Sequence, residues 1–500
     1  MKDRTPKYRG RVKLLPVAGQ ENIYDMTRAD EPDDTGTPFN TRTMLQDSTA
    51  QFLKLPVSNP FVDDALRHMP DRVNPVGTIR TTPQQSLGDA WLPCDGSQVT
   101  FSEYPELYQI LRNISGAVSW ENTVFATSAD LFNKVTKPVF FKSKWYIFGS
   151  KSDLDGGSTS IWGTKEWQTT QILTVASSDS LTGPWEIVHT VREFSDWTSG
   201  NGTDISVAVS EDTLAVVWAY FYQNKSGGTQ SSAVKIISTD DGTTWSDSGA
   251  INLNFSGAPN AKCLSTDGDT WAFLANDFIW KSSNPKTASS WAKNSPESSA
   301  ASISFCNGAW YLAISSSSSI AVKASATLAG SFAQIGTIGA KYYKGLSQIV
   351  DYGGIGYFVV IDSDGTAANR IRLVAVDSGV TSVQETSDST LSKTAAKSDI
   401  AASGNLIAVL VTDGSNSKVM TTSLPNSGLN SATLPTGSVP QNVIVSGNLA
   451  AATGSGSISY HDYTDDVRTL PTISLSSDTT TFIKAKKELD VFEAAQSGGD

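Results

Sequence analysis

The sequence predicts a mainly β chain in which a long repeated body interrupts a small α+β domain. Three observations predict it. Charged residues are only 18% of the 500 and hydrophobics 39%, with 39 glycines and long Ser and Thr runs, the balance of short strands and many turns. A unit made of an apolar strand, a glycine turn and a second apolar strand recurs about seven times through the middle of the chain. The segments flanking that region hold too few strands to fold separately.

Residues 1–75 form an arm. Its basic start, MKDRTPKYRGRVKLLPVAGQ, has no apolar stretch of the signal-peptide kind, and no window of the chain holds 18 consecutive apolar residues, so no membrane insertion is expected. Pro32, Gly36 and Pro38 interrupt regular structure, and the acidic run Asp30 to Asp34 favours solvent. A short helix is expected from Asn40 as N-cap, with Met44, Leu45 and Phe52 as its apolar stripe. So small a stripe predicts an arm that orders against another protein or a sister chain.

Residues 76–116 begin the interrupted domain. Val76 to Arg80 alternates as a strand, Gly88-Asp89 turns, and a second strand lies around Trp91 and Leu92 before a tight turn at Asp95-Gly96. Ser102 is the expected N-cap of a helix with Pro105 and Glu106 in its first turn and Tyr104, Leu107, Tyr108 and Leu111 at helical spacing. The missing partner lies in residues 467–500, where Thr481 to Ala485 alternates again. Two distant pieces, 76–116 and 467–500, are therefore predicted to close one domain around everything between them.

The run carrying Gly77, Trp91, Cys94, Asp95, Gly96 and Tyr104 resembles the bacteriophage tail-collar domain of tail fibres, and the arm, with YDMTRADEP and GTPFN, is similar to the starts of phage tail-appendage proteins. The resemblance covers both ends and none of the middle. It implies a structural virion protein, a homotrimer joined through its arm to other tail or virion proteins and assembled in the host cytoplasm. It implies no catalytic residue.

The middle, residues 117–466, contains KPVFFKSKWYIFGS, ISVAVSEDTLAVVWAY, AKCLSTDGDTWAFLA, ISFCNGAWYLAIS, QIVDYGGIGYFVVID, DIAASGNLIAVLVTD and NVIVSGNLAAATGS. A repeat of roughly 40 to 65 residues with three or four strands predicts a β-propeller of about seven blades, six or eight being the alternatives. Closing such a ring requires a strand from about Val118 to Thr127 to complete the sheet of the last repeat, since an open ring leaves long edges exposed. The motif Ser238, Asp240, Gly242, Trp245 in STDDGTTW is similar to the Asp box of sialidase-like propellers, a structural turn with Asp240 holding backbone N–H groups, Gly242 in a strained conformation and Trp245 buried. Weaker versions start at Ser177, Ser282 and Ser325.

A formal charge of −12 and a pI near 4.8 argue against a nucleic-acid partner, which needs clustered Lys and Arg. Cys94, Cys263 and Cys306 lack metal-ligand spacing and are expected as small buried hydrophobes; no metal site and no cofactor fingerprint emerges. A sialidase needs an arginine cluster, for which the insert offers only Arg192, Arg370 and Arg372; Asp153, Asp155, Glu166 and Asp196 are acidic loop residues that a two-carboxylate glycosidase could use. Trp162 and Trp167, where no repeat demands a core aromatic, and Trp197, Tyr220 and Tyr222 are the expected sugar-binding faces. The sequence thus points to a tail-fibre appendage whose ring recognises a host-surface glycan or protein, with a virion-borne glycan hydrolase and a non-binding spacer as alternatives.

Overall fold

A computed structural model of the chain describes residues 5–6, 12–16, 24–28, 32–34, 74–82, 86–111, 118–124 and, with short interruptions, 134–470 and 480–486. It divides into two compact units, residues 1–99 with 469–500 and residues 100–468. Among the described residues no helix is long and apolar enough to cross a membrane.

In the first unit, Ile79–Thr82, Thr480–Lys484 and Trp91–Pro93 form a three-stranded antiparallel sheet with the C-terminal strand in the centre. Ile483 lies opposite Ile79 on one side and Leu92 on the other. Backbone bonds extend the ladder: Gly77 N donates to Lys484 O at 2.8 Å, and Cys94 N to Thr481 O at 2.8 Å. Ala90, Trp91 and Phe482 form its small core, and Cys94 is buried. Asp95 Oδ1 accepts from Ser97 N at 2.9 Å and Gly96 takes φ 83°, the tight turn expected there.

The arm departs from expectation. Residues read as irregular form two short ladders, Thr5–Pro6 with Pro32–Asp34 and Val12–Pro16 with Tyr24–Arg28. Antiparallel pairing satisfies the backbone groups that face the partner strand, and Leu14 and Leu15 are exposed on the second ladder. Asn40, Met44, Leu45 and Phe52 lie outside the described residues.

The second unit is nearly all β. Seven sheets of four or five strands succeed one another among its described residues, each built on consecutive antiparallel strands, with strands from before the first sheet added to the sixth and seventh. Their first strands begin at Lys134, Asp204, Ala261, Ala300, Gly345, Lys397 and Asn442. The central strands of each sheet are buried on both faces, which explains continuous apolar runs such as Leu214–Tyr222 and Leu406–Thr412. In Ile355–Asp362, Phe358 and Val360 face the fourth sheet while Val359 and Ile361 face the sixth. Seven apolar clusters fill the seven spaces: first to second sheet, and so on in order, with Val135, Ile147 and Ala176 of the first sheet meeting Ala451 and Ile458 of the seventh. The arrangement is a closed, propeller-like one.

Closure comes from a strand that precedes the first sheet. Glu121–Val124 pairs antiparallel with Ser457–Asp462 and becomes the fourth strand of the seventh sheet, as the exposed-edge argument requires. Immediately before it, Val118–Ser119 pairs in parallel with Asn430–Thr433 of the sixth sheet. Trp120, between the two, is buried against both sheets.

The helix expected in the small domain belongs instead to this unit. Pro105–Ile110 starts from Tyr104, not Ser102, with Pro105 preset for the first turn and no side-chain cap. Its Tyr108, with Phe101, packs among Leu406, Leu410, Val443 and Val445. Tyr108 Oη donates to Asp466 Oδ2 at 2.9 Å, and Ser423 Oγ donates to Pro105 O at 2.6 Å. Helical spacing located the apolar face but could not say which core would take it.

The Asp-box turn follows the third strand of the second sheet, Ser231–Thr239. Asp241, not Asp240, pins it: its Oδ1 accepts from Thr243 N and Thr244 N, each at 2.7 Å, and the Thr244 and Thr243 amides hold the carboxyl well below the usual range. Asp240 instead accepts from Thr213 Oγ1 at 2.8 Å and pairs with Lys286. Ser238 is buried, and Trp245 is half-buried, stacked on His189 with ring centroids 5.6 Å apart. Gly242 sits at φ 77°, and a Cβ there would come within 2.1 Å of Tyr146 Oη. Gly242→Ala is expected to lose at least about 1–2 kcal/mol from the left-handed backbone alone, plus the displacement of Tyr146, read as a lowered denaturation midpoint. An unchanged midpoint would remove this turn from the stabilising contacts.

Candidate functional site

The first strands of neighbouring sheets touch: Asp204–Val209 meets Ala261–Thr266, which meets Ala300–Cys306, and Lys397–Ser403 meets Asn442–Ser446. In a closed ring of sheets such strands are innermost and border the central channel. Since every sheet runs in the same sense, the starts of the first strands share one end of that channel.

Aligning the first strands on their buried apolar residue puts one polar or sulfur-bearing residue per sheet at a common level: Lys134, Ser206, Cys263, Ser302, Gln348, Asp399 and Asn442. Several bridge to a neighbour. Lys134 Nζ lies 3.5 Å from Asp204 Oδ1, and Cys263 Sγ donates to Ser302 Oγ at 3.8 Å. Gln348 Nε2 donates to Ile303 O at 3.0 Å, Asp399 Oδ2 accepts from Val443 N at 2.9 Å, and Asn442 Nδ2 donates to Val135 O. Ser206 and Ser304 do the same work with hydroxyls, accepting from Leu264 N at 2.9 Å and Ile349 N at 2.8 Å. These bonds satisfy inner-strand amides that have no strand partner on the channel side.

Asp399 therefore holds a carboxylate where a hydroxyl suffices. Burial pushes its carboxyl up, against the pull of Lys137 and of the Val443 and Ile400 amides. Lys137 follows the first strand of the first sheet, and its charge lowers both the Cys263 thiol of the third and the Asp399 carboxyl of the sixth, in each case against burial. Burial first, then the positive charges of Lys134 and Lys262, hold the Lys397 ammonium below its ordinary value, with Asp204 opposing. Lys397 nevertheless keeps exposed surface, the condition of a side chain that is walled by protein but reached by water. A β-bulge between Lys262 and Ser265, with Cys263 at φ 60°, interrupts the ladder beside Lys262.

The residues singled out from sequence fare unevenly. Trp162 and Trp197 lie outside the described residues, as does Asp196. Trp167 is on the strand Lys165–Ser178 and Tyr222 ends Leu214–Tyr222, both at the end of the ring where the first strands start. Tyr220 is a correction: it is 4% exposed, packed against Trp218 with centroids 4.8 Å apart, and serves the core between the first and second sheets. The loop expected around Trp162 and Trp167 is shorter than foreseen, because paired strands continue to Thr159 and Lys165.

The arginines do not form a carboxylate clamp. Asp362, fully buried, accepts from Arg370 Nε at 2.8 Å and Nη2 at 2.6 Å, and from Arg372 Nη2 at 2.8 Å. Arg372 also donates to Gly339 O at 2.7 Å. Arg370 is half-buried and Arg372 buried, while Arg192 stands exposed on the outer strand of the first sheet. The thiols of Cys94, Cys263 and Cys306 are free, and burial raises all three. Sequence reasoning missed the channel lysines, although aligning KVTK, AKCL and KSDI by their place in the repeat shows a lysine opening three of the seven first strands.

The sequence matches no protein-family model and no curated protein. Among solved structures, a prolyl endopeptidase is 13% identical with a TM-score of 0.39, over 72% of this chain, which spans 52% of that one. A lectin of Aleuria aurantia, solved with α-methyl-L-fucoside, is 12% identical with a TM-score of 0.34, over 55% of this chain and 97% of its own. An N10 neuraminidase-like protein from a little yellow-shouldered bat influenza A isolate is 18% identical, TM-score 0.25, over 33% and 55%. The chain is similar to these proteins in a propeller-like arrangement of sheets and in nothing finer.

Proposed function

We propose that this chain is a phage tail-fibre or related virion appendage in which a seven-bladed propeller, inserted into a small collar-like domain, recognises a glycan on the host surface. One observation supports it most: strands from both chain ends, Ile79–Thr82, Trp91–Pro93 and Thr480–Lys484, build one small sheet that carries the collar-like Gly77, Trp91, Cys94, Asp95 and Gly96, with the ring as an insert between them. Seven sheets support seven blades. Three copies joined through the arm would multiply weak sites by effective concentration.

The test pairs a glycan array with turnover assays of the full chain and light scattering. Binding without turnover and a mass of three times 53.3 kDa are expected. Turnover would favour a virion-borne glycan hydrolase; silence on the array and in the turnover assay would favour a spacer.

A further inference from the structure

The arm carries a surface that its own chain leaves open. Its two ladders are nested, Thr5–Pro6 with Pro32–Asp34 outside Val12–Pro16 with Tyr24–Arg28, so one outgoing and one returning segment run antiparallel in both. Each ladder is a sheet of two strands only. Such a ribbon is marginal in water unless further strands or a covered face support it. Successive strand residues take opposite faces, and the register sets Val12, Leu14 and Pro16 level with Arg28, Met26 and Tyr24 on one face, against Lys13, Leu15, Asp25 and Thr27 on the other. The first face is apolar but for Arg28. Yet Leu14, at its centre, is 57% exposed, the most open large hydrophobic among the described residues. The edges differ in sign: the outgoing segment holds Lys2, Arg4, Lys7, Arg9, Arg11 and Lys13 with one acid, Asp3, and the returning one holds Glu21, Asp25, Asp30, Glu31, Asp33 and Asp34 with one base, Arg28. Attraction within the ribbon uses these charges on one side of each strand. The other side of each strand is a free edge with the same charge and unpaired backbone groups.

We infer that the arm pairs edge to edge with the arms of further copies of this chain, the basic outgoing segment of one against the acidic returning segment of the next, with the Leu14 face turned inward. The charges select this arrangement. Two copies related by a twofold axis would set like edges together and repel, whereas rotation in one sense sets basic against acidic at every contact. An axis along the strands keeps every outgoing strand antiparallel to every returning one, so the new ladders have the same sense as those inside each ribbon. Three ribbons close into six strands with no edge left. The count of three rests on the appendage reading; the pairing does not.

Sedimentation of the full chain over a dilution series tests this directly. The unaltered protein should dissociate from a complex of three times 53.3 kDa into single chains. Leu14→Ser should raise the concentration of half-dissociation at least about 10-fold, while Leu15→Ser, on the outward face of the same strand, should raise it less than about threefold. Salt raised from about 0.05 M to about 1 M should weaken the unaltered complex at least about threefold, because the edge charges are exposed to solvent in the free arm. Hydrogen exchange needs no variant: in Val12–Pro16 and Tyr24–Arg28, amides directed away from the ribbon partner should be protected in the complex and lose that protection on dilution. Leu14→Ser and Leu15→Ser acting alike, indifference to salt, or unprotected outward amides in the complex overturns the pairing; a complex that still holds three copies then leaves the appendage reading standing. A complex of another number with the Leu14 dependence and the outward protection keeps the pairing and removes the threefold reading. Single chains at every concentration overturn both.

Discussion

Trp120→Ala is expected to destabilise the ring unit by about 3–5 kcal/mol, the cost of emptying a buried aromatic site. Trp120 is 5% exposed and lies between the strand that joins the sixth sheet and the strand that completes the seventh. Its indole packs with Leu410 and Val443 from those two sheets, so the loss falls on the seam of the ring. Hydrogen exchange should therefore show more than a uniform weakening. Amides of Ser457–Asp462, whose partner strand Glu121–Val124 is anchored by Trp120, should lose protection first, while those of Ala309–Ser315, in the middle of the fourth sheet, should follow global unfolding. Equal loss at both places would show that the seam is not the weak point.

Asp362→Ala should cost a similar amount, about 3–5 kcal/mol, for a different reason. The carboxylate is fully buried and neutralises two guanidinium groups, one of them, Arg372, only 5% exposed. Removing the anion leaves a desolvated cation that keeps its bond to the Gly339 carbonyl. Burial already biases Arg372 against its charged form, and Asp362 is the first group opposing that bias. Urea unfolding should show the loss, and Asp362→Ala combined with Arg372→Met should recover part of it, because an apolar pair replaces an unpaired charge. A double variant less stable than Asp362→Ala would show that Arg372 stabilises by packing more than by its charge.

Much of the architecture was legible because a repeated sheet writes its period into the chain. Glycine turns such as Gly353-Gly354 and Gly404 mark the first hairpin in five of the seven sheets, and strands buried on both faces read as unbroken apolar runs. The closing strand could be foreseen from physics, since a ring with an open edge is unstable. What the sequence concealed was assignment among similar environments. The apolar face of Pro105–Ile110 fits any core, and only the folded chain shows that it meets Leu406 and Val443. Asp240 and Asp241 are adjacent acids in one turn, and which carboxylate reaches the amides is decided by a single backbone rotation. Tyr220 fell to the same ambiguity, an aromatic near a strand end that turns inward. The channel lysines were missed because they are about 260 residues apart in the extreme case, Lys134 to Lys397, and their company exists only when the ring closes.

The strand that seals the ring is synthesised before any sheet of it, yet its partner, Ser457–Asp462, emerges about 330 residues later. On the ribosome, six sheets are complete in sequence before the seventh can be finished. Throughout that interval Glu121–Val124 has no ladder to join, and the inner edges of the growing arc are open to other chains. The last event in building the ring is thus the meeting of a strand made before its first sheet with one made near its end, and any halt in translation before residue 457 leaves an arc that cannot close.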